Sequence, residues 1–243
     1  MQPTTSSALE LAISTPRFQT YLEAASDDRP SALQLYLWNT RLAAAFLECI
    51  SIFEVFLRNA IDVQLRRWNV QQVRPDGTPL TEEWLLEAGK PLNSHTASAR
   101  RVATEHATKA RSAREPFHPR KTAPITHDDV LAQLSLGTIT RLLPTANVDD
   151  PSYKKRCVLW AQAVSHAFPH DAGDSDGSVL AARIHRVHRL RNRVAHAEPL
   201  LGVNVQARHR DMIRVIGTIN PELQGWFASL SDLRDIAANR PVG

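Results

Sequence analysis

Glycine is scarce in this chain, with nine residues in 243. Glycine serves mostly turns, whereas the abundant Ala, Leu and Arg are good helix formers, so the balance points to helices. Cysteine is scarcer. Cys49 and Cys157 supply neither a disulfide framework nor a zinc spacing, and their apolar neighbours suggest two buried free thiols. Long apolar runs are missing, and no stretch approaches the roughly 20 residues that span a bilayer. Met1–Ser7 is polar, with no basic start leading into an apolar run, so no signal peptide is expected and a cytoplasmic location is. Strand-like alternation and internal repeats are absent, as are a phosphate-cradling glycine loop, Gly-x-Ser-x-Gly and His-Glu-x-x-His. No cofactor or metal is expected. His185-x-x-His188 lacks a third ligand at useful spacing, and Pro169 interrupts His166-x-x-x-His170.

What is present is ordinary globular composition, 43% hydrophobic and 22% charged, which excludes wholesale disorder. The net charge of +4 conceals that 24 of 29 basic residues are arginine. Such usage follows either from a GC-rich genome or from phosphate contact by the guanidinium fork, and position along the chain has to decide.

Residues 8–26 read as a short helix, closed by a turn at Asp27-Asp28-Arg29-Pro30, which makes 1–30 an N-terminal unit and 31–243 a single all-α domain. Ser31 to Arg74 contains neither Pro nor Gly, and Leu42, Phe46, Cys49, Phe53, Phe56 and Ala60 recur at helical spacing. A helix from about Leu33 to Trp68 is expected, its Arg66-Arg67 end suiting the negative dipole pole. Residues 75–125 are punctuated by proline and carry seven Lys or Arg against two Glu between Arg100 and Lys121. They read as an inserted, partly mobile basic segment with short helices near 82–88 and 97–114. It is either a solvated face or an RNA-backbone contact, with Arg100 and Arg101 as contacts. Further helices are expected at 128–142, 153–167, about 180–196, 207–218 and 221–238.

The helix before Pro199 has the apolar stripe Leu180, Ile184, Val187, Leu190, Val194. On its other faces Arg183, Arg186, Arg189, Arg191 and Arg193 fall in eleven residues without an acid. A solvated helix interleaves Glu for i,i+4 pairing, so this run favours an anionic partner such as RNA. Asn192 and His196 share one face, and Arg191 lies about 100° round from Asn192. His196 sits in the last turn, where the dipole favours protonated imidazole, with Glu198 placed to reinforce it. An Arg with a His suits metal-independent RNA cleavage, in which the ribose 2′-OH attacks phosphorus, Arg stabilises the equatorial oxygens and an acid protonates the leaving 5′-oxygen. One of each per chain is sparse, and a two-fold dimer supplies two. Taken alone, Arg-x-x-x-x-His is a weak pattern that also fits a capping His beside a surface Arg.

Three blocks in order sharpen the reading: Tyr36-Leu37-Trp38-Asn39 continuing to Phe53-Glu54-Val55-Phe56-Leu57-Arg58-Asn59-Ala60-Ile61-Asp62; Leu134-Ser135-Leu136-Gly137-Thr138-Ile139; and Arg191-Asn192-Arg193-Val194-Ala195-His196-Ala197-Glu198-Pro199-Leu200. Together they resemble the Abi-like (abortive infection) family of the HEPN superfamily over roughly 31–220. The resemblance implies a bundle of four to five helices, a homodimer with paired sites, and ribonuclease activity on host or phage RNA as a toxin or antiphage effector; it leaves open an antitoxin or regulatory partner. It places catalysis on Arg191 and His196, with Asn192 as the polar residue after the Arg, and makes Glu54, Arg58 and Asn59 candidates for a polar group facing the motif. Glu54, Arg58 and Asp62 share a stripe and could equally pair with one another. Leu136, Thr138 and Ile139 depart from the family's aromatic residues at packing positions. The competing readings are a non-catalytic HEPN module that binds RNA or a protein, and a DNA-binding regulator, for which no helix-turn-helix pattern is visible.

Overall fold

The computed structural model describes residues 3–241, with side chains from Ala8 onward, so the extreme ends of the expected 1–30 and 31–243 units lie outside the described residues. A 41-residue helix, α3 (Arg29–Asn69), organises the fold. The Asp28 carboxylate accepts the Ser31 amide, and Pro30 occupies the first turn, where its missing N–H leaves nothing unpaired. With no later Pro or Gly, the helix runs for roughly 60 Å. Leu42, Phe46, Cys49, Phe53, Leu57, Ile61 and Leu65 are buried along it. The expected stripe therefore turns onto Leu57 and Ile61 instead of Phe56 and Ala60, because a 3.6-residue period advances by four after Phe53. Phe56 stacks at the rim on Trp226, ring centroids 5.9 Å apart.

Ahead of α3, the single helix expected over 8–26 is two, α1 (Pro3–Ile13) and α2 (Thr15–Ala24), broken at Ser14 with φ 75°. Phe18 and Tyr21 of α2 bury against Leu33 and Leu35, a small cluster separate from the main core.

The 75–125 segment packs in part against the main core. It holds α4 (Leu92–Ser112), while the helix expected at 82–88 is a run of turns. Trp84, Leu85, Leu92, Ala103 and Ala107 belong to the main core. Asn69 ties the connection down, donating to the Thr81 and Glu87 carbonyls and accepting the Gly89 amide. Basic side chains serve the backbone of the loop after α4, whose carbonyls have no ladder partner. Arg111 donates to Ala123 O, Lys121 to Ser112 O and Arg114 O, and Arg114 and Arg120 both reach Asp129, at 3.3 and 2.6 Å. Much of the segment's charge therefore staples the segment itself.

The span 128–142 splits into α5 (His127–Leu131) and α6 (Leu136–Thr140), because Ser135 starts a new helix by accepting the Thr138 amide. Then follow α7 (Tyr153–Gln162) with a 3-10 turn (Val164–Ala167), α8 (Ser178–Ala195), α9 (Val205–Ile219), α10 (Pro221–Ser229) and α11 (Leu233–Ala238), the last two dividing the helix expected at 221–238. The architecture is all-α: among the described residues the only extended pairing is an isolated bridge between Val73 and Pro79. No described helix is long and apolar enough to cross a membrane. Cys49 is buried as expected, but Cys157 is exposed, because it falls on the outer side of α7.

Gly177, just before α8, has φ 69°, and a Cβ there would lie 2.3 Å from the Trp160 ring. Both the left-handed backbone and the rigid indole exclude a side chain. Gly177→Ala should cost about 2–3 kcal/mol in a denaturant titration; a loss under about 0.5 kcal/mol would show that Trp160 yields freely.

Candidate active site

Helix α8 carries the motif, and its ends are defined by hydrogen bonds. At its start the Asp174 carboxylate accepts the Val179 and Leu180 amides, at 3.2 and 2.7 Å. At its end His196 is the C-cap and Ala197 adopts φ 51°. The Ala197 amide returns to Val194 O and the Glu198 amide to Arg193 O, closing the helix in a Schellman arrangement. Leu180, Ile184, Val187 and Leu190 are buried beneath, which turns the arginines outward; Val194, the last residue of the expected stripe, is only partly covered.

The acid-free run is less uncompensated than its local sequence. Arg186 makes a bidentate pair with Asp211 of α9, at 3.0 and 2.7 Å, and Arg208 joins the same carboxylate. Arg193 donates to Pro199 O and lies 3.5 Å from Glu198. Arg186 and Arg193 are occupied within the fold, and the Glu198 carboxylate lies on Arg193. Arg100, half-buried, turns to the backbone oxygens of Trp84, Leu86 and Asn93, and Arg101 pairs with Glu105 one turn along. Arg183, Arg189 and Arg191 make no ion pair or side-chain hydrogen bond among the described residues, nor does the His196 ring. The His196 carbonyl accepts from Arg17 at 3.3 Å, which ties α2 to the motif.

Asn192 has a partner that sequence spacing did not reveal. Its Nδ2 lies 3.5 Å from Nε2 of His188, one turn earlier. Burial, with Arg191 and Arg141 close by, holds the His188 imidazole below the ordinary histidine value, and burial acts likewise on His185 beside Arg156. His188 is pressed against Gly137 of α6, where a Cβ would meet Nε2 at 3.0 Å. The absence of a side chain at Gly137 is thus what admits the ring. Its one signal in the sequence was a glycine inside the Leu134–Ile139 block.

Beyond Gly137 opens a cleft of about 450 Å³ between α4 and the start of α6, with His95, Val102 and His106 on one wall and Ser135, Arg141 and Leu142 on the other. His95 Nε2 lies 2.7 Å from the Arg141 carbonyl, and burial keeps its imidazole below the ordinary value.

No hydrogen bond or ion pair joins Glu54, Arg58 or Asn59 to Arg191, Asn192 or His196 among the described residues. Helices α3 and α8 run antiparallel. The Leu200 amide beyond α8 bonds Asn39 near the start of α3 at 2.6 Å, while Trp68 at the far end bonds Gln162 of α7, whose Trp160 abuts Gly177. Roughly 22 Å of helix rise separates Asn39 from Glu54, and more separates it from Arg58 and Asn59. Arg58 and Asn59 instead border a shallow groove with Asp128. Glu54, Arg58 and Asp62 do not pair with one another either, because Asp62 binds Arg66, Trp84 and His127. Among the described residues, no three His, Cys, Asp or Glu side chains converge as metal ligands do. Comparison of the whole chain with protein-family models, with curated proteins and with solved structures found no match.

Proposed function

We propose that the chain is a metal-independent endoribonuclease of the Abi-like HEPN type, with its reactive groups at the C-terminal end of α8. One observation carries the reading: Arg191 and His196 have no side-chain partner among the described residues, whereas their neighbours Arg186 and Arg193 are paired off. A basic helix end with two idle groups suits a phosphate. Arg191 stabilises charge on the equatorial phosphate oxygens, His196 protonates the leaving 5′-oxygen, and Asn192, steadied by His188, orients the phosphate. Arg183 and Arg189 remain available to neighbouring phosphates. The base that takes the 2′-OH proton comes from a second copy whose α8 meets the first across a two-fold axis. Toxin or antiphage action in the cytoplasm, restrained by an antitoxin or similar partner, follows from such an activity.

The lack of any hydrogen bond or ion pair from Glu54, Arg58 or Asn59 to the motif among the described residues favours a second reading, a non-catalytic HEPN module that binds RNA or protein. Incubating the purified protein with total RNA and tRNA in EDTA decides between them. Cleavage leaving 2′,3′-cyclic phosphate ends is expected; intact RNA, at protein concentrations that bind it, would favour the module.

A further inference from the structure

The cleft between α4 and α6 lies next to the motif, with Gly137 between His188 and Ser135. Asn192 touches His188, His188 lies against Gly137, and the Gly137 Cβ position is 3.7 Å from Ser135 Oγ on the cleft wall. Its volume of about 450 Å³ falls within the range of small-ligand sites. No Asp or Glu lines it, and Arg141 stands exposed at its edge with no ion pair among the described residues. Asp150, the carboxylate that acts on His95, is itself taken up by Arg156 at 2.8 Å. Val102 and Ala99 offer apolar surface to the face of a ring, while hydroxyls and imidazoles suit hydrogen bonding at its edge. Apolar walls, edge-reading polar groups and one unpaired guanidinium are the complement of a nucleobase joined to a phosphate.

Resting on the ribonuclease reading, we infer that this cleft is a subsite for one splayed nucleotide of the substrate RNA, with Arg141 holding its phosphate and the strand continuing past His188 to Arg191. The subsite thus binds single-stranded RNA beside the scissile phosphate and sets which base is accepted there.

A 2′-O-methyl RNA oligonucleotide tests this without cleavage, since the blocked 2′-oxygen cannot attack. Its binding to the full chain is followed by fluorescence anisotropy over a salt series. Arg141→Ala should weaken binding about tenfold and reduce the slope of log K against log salt by about one. The backbone oxygen that engages His95 is unaffected by that change. Ser98→Tyr, at an exposed lining position, should weaken binding by filling the cleft while leaving the slope unchanged. Wild-type affinity in both variants, or no binding by the wild type, would overturn the subsite. Cleavage of ordinary RNA by the wild type is scored separately. Variant-sensitive binding without cleavage keeps the subsite and sinks the nuclease, and cleavage with variant-insensitive binding does the reverse.

Discussion

His196→Ala should lower RNA cleavage by about 10²–10⁴-fold, the range for losing a positioned acid or base. The magnitude follows from position. His196 is the C-cap, its ring is exposed, and its backbone amide and carbonyl carry the helix closure and the Arg17 contact. Substitution therefore removes the imidazole and leaves the hydrogen-bond frame in place. Circular dichroism and the melting temperature should match wild type, and RNA affinity should change little, because the arginines remain. Wild-type cleavage rates in a folded His196→Ala protein would remove this residue from the mechanism. Equal loss of binding and cleavage would show that it serves as an RNA contact instead.

Asp62→Asn should destabilise the fold by about 3 kcal/mol, as expected for breaking a buried charged network. The Asp62 side chain is only 6% exposed. It accepts Trp84 Nε1 and His127 Nε2, both at 2.8 Å, on one oxygen and Arg66 Nε, also at 2.8 Å, on the other. This single carboxylate joins α3 to the connection before α4 and to α5, and so holds one end of the cleft-bearing layer. Burial works to raise its pKa, but the hydrogen bonds from His127, Arg66 and Trp84 outweigh burial and hold it below the ordinary aspartate value. The sign of the linkage follows. A folded value below the unfolded one of about 3.9 contributes stability above that pH, and this contribution is lost as pH falls through the folded value. Denaturant midpoints should therefore separate wild type from Asp62→Asn most at neutral pH and converge in acid. A constant gap down to about pH 2 would mean that packing, not charge, sets the effect.

Much of the secondary structure was legible because it depends on local chemistry. The uninterrupted run after Pro30 and its apolar stripe predict α3 to within four residues at its start and one at its end. The stripe from Leu180 and the stop before Pro199 likewise predict α8. Breaks inside 8–26, 128–142 and 221–238 were harder to read. They turn on single positions, Ser14 with positive φ, Ser135 recapping a helix and Ser231 accepting the Leu233 amide at the start of α11, which a periodicity cannot register. The packing of the 75–125 segment is hidden from the sequence for a related reason. Proline and charge mark a loop, but they do not show that Trp84, Leu92 and Ala107 reach the core or that Arg114 and Arg120 share Asp129.

The candidate site divides along the same line. Residues 191–196 were identifiable in one dimension because helix geometry alone sets their faces and brings them to the carbonyl end of the dipole. The fate of each arginine was not, because its counter-ion comes from elsewhere: Asp211 reaches Arg186 from the next helix, and backbone carbonyls fold over Arg100. Nor could spacing along α3 show which part of that helix meets the end of α8, since that depends on the two running antiparallel, with the Leu200 amide bonded to Asn39. Local propensity and periodicity therefore sufficed for the two long helices and for the relative faces of residues 191–196. Which charges stay idle, and that Gly137 admits His188 beside a cleft, came only from packing, because long-range pairing has no period along the chain.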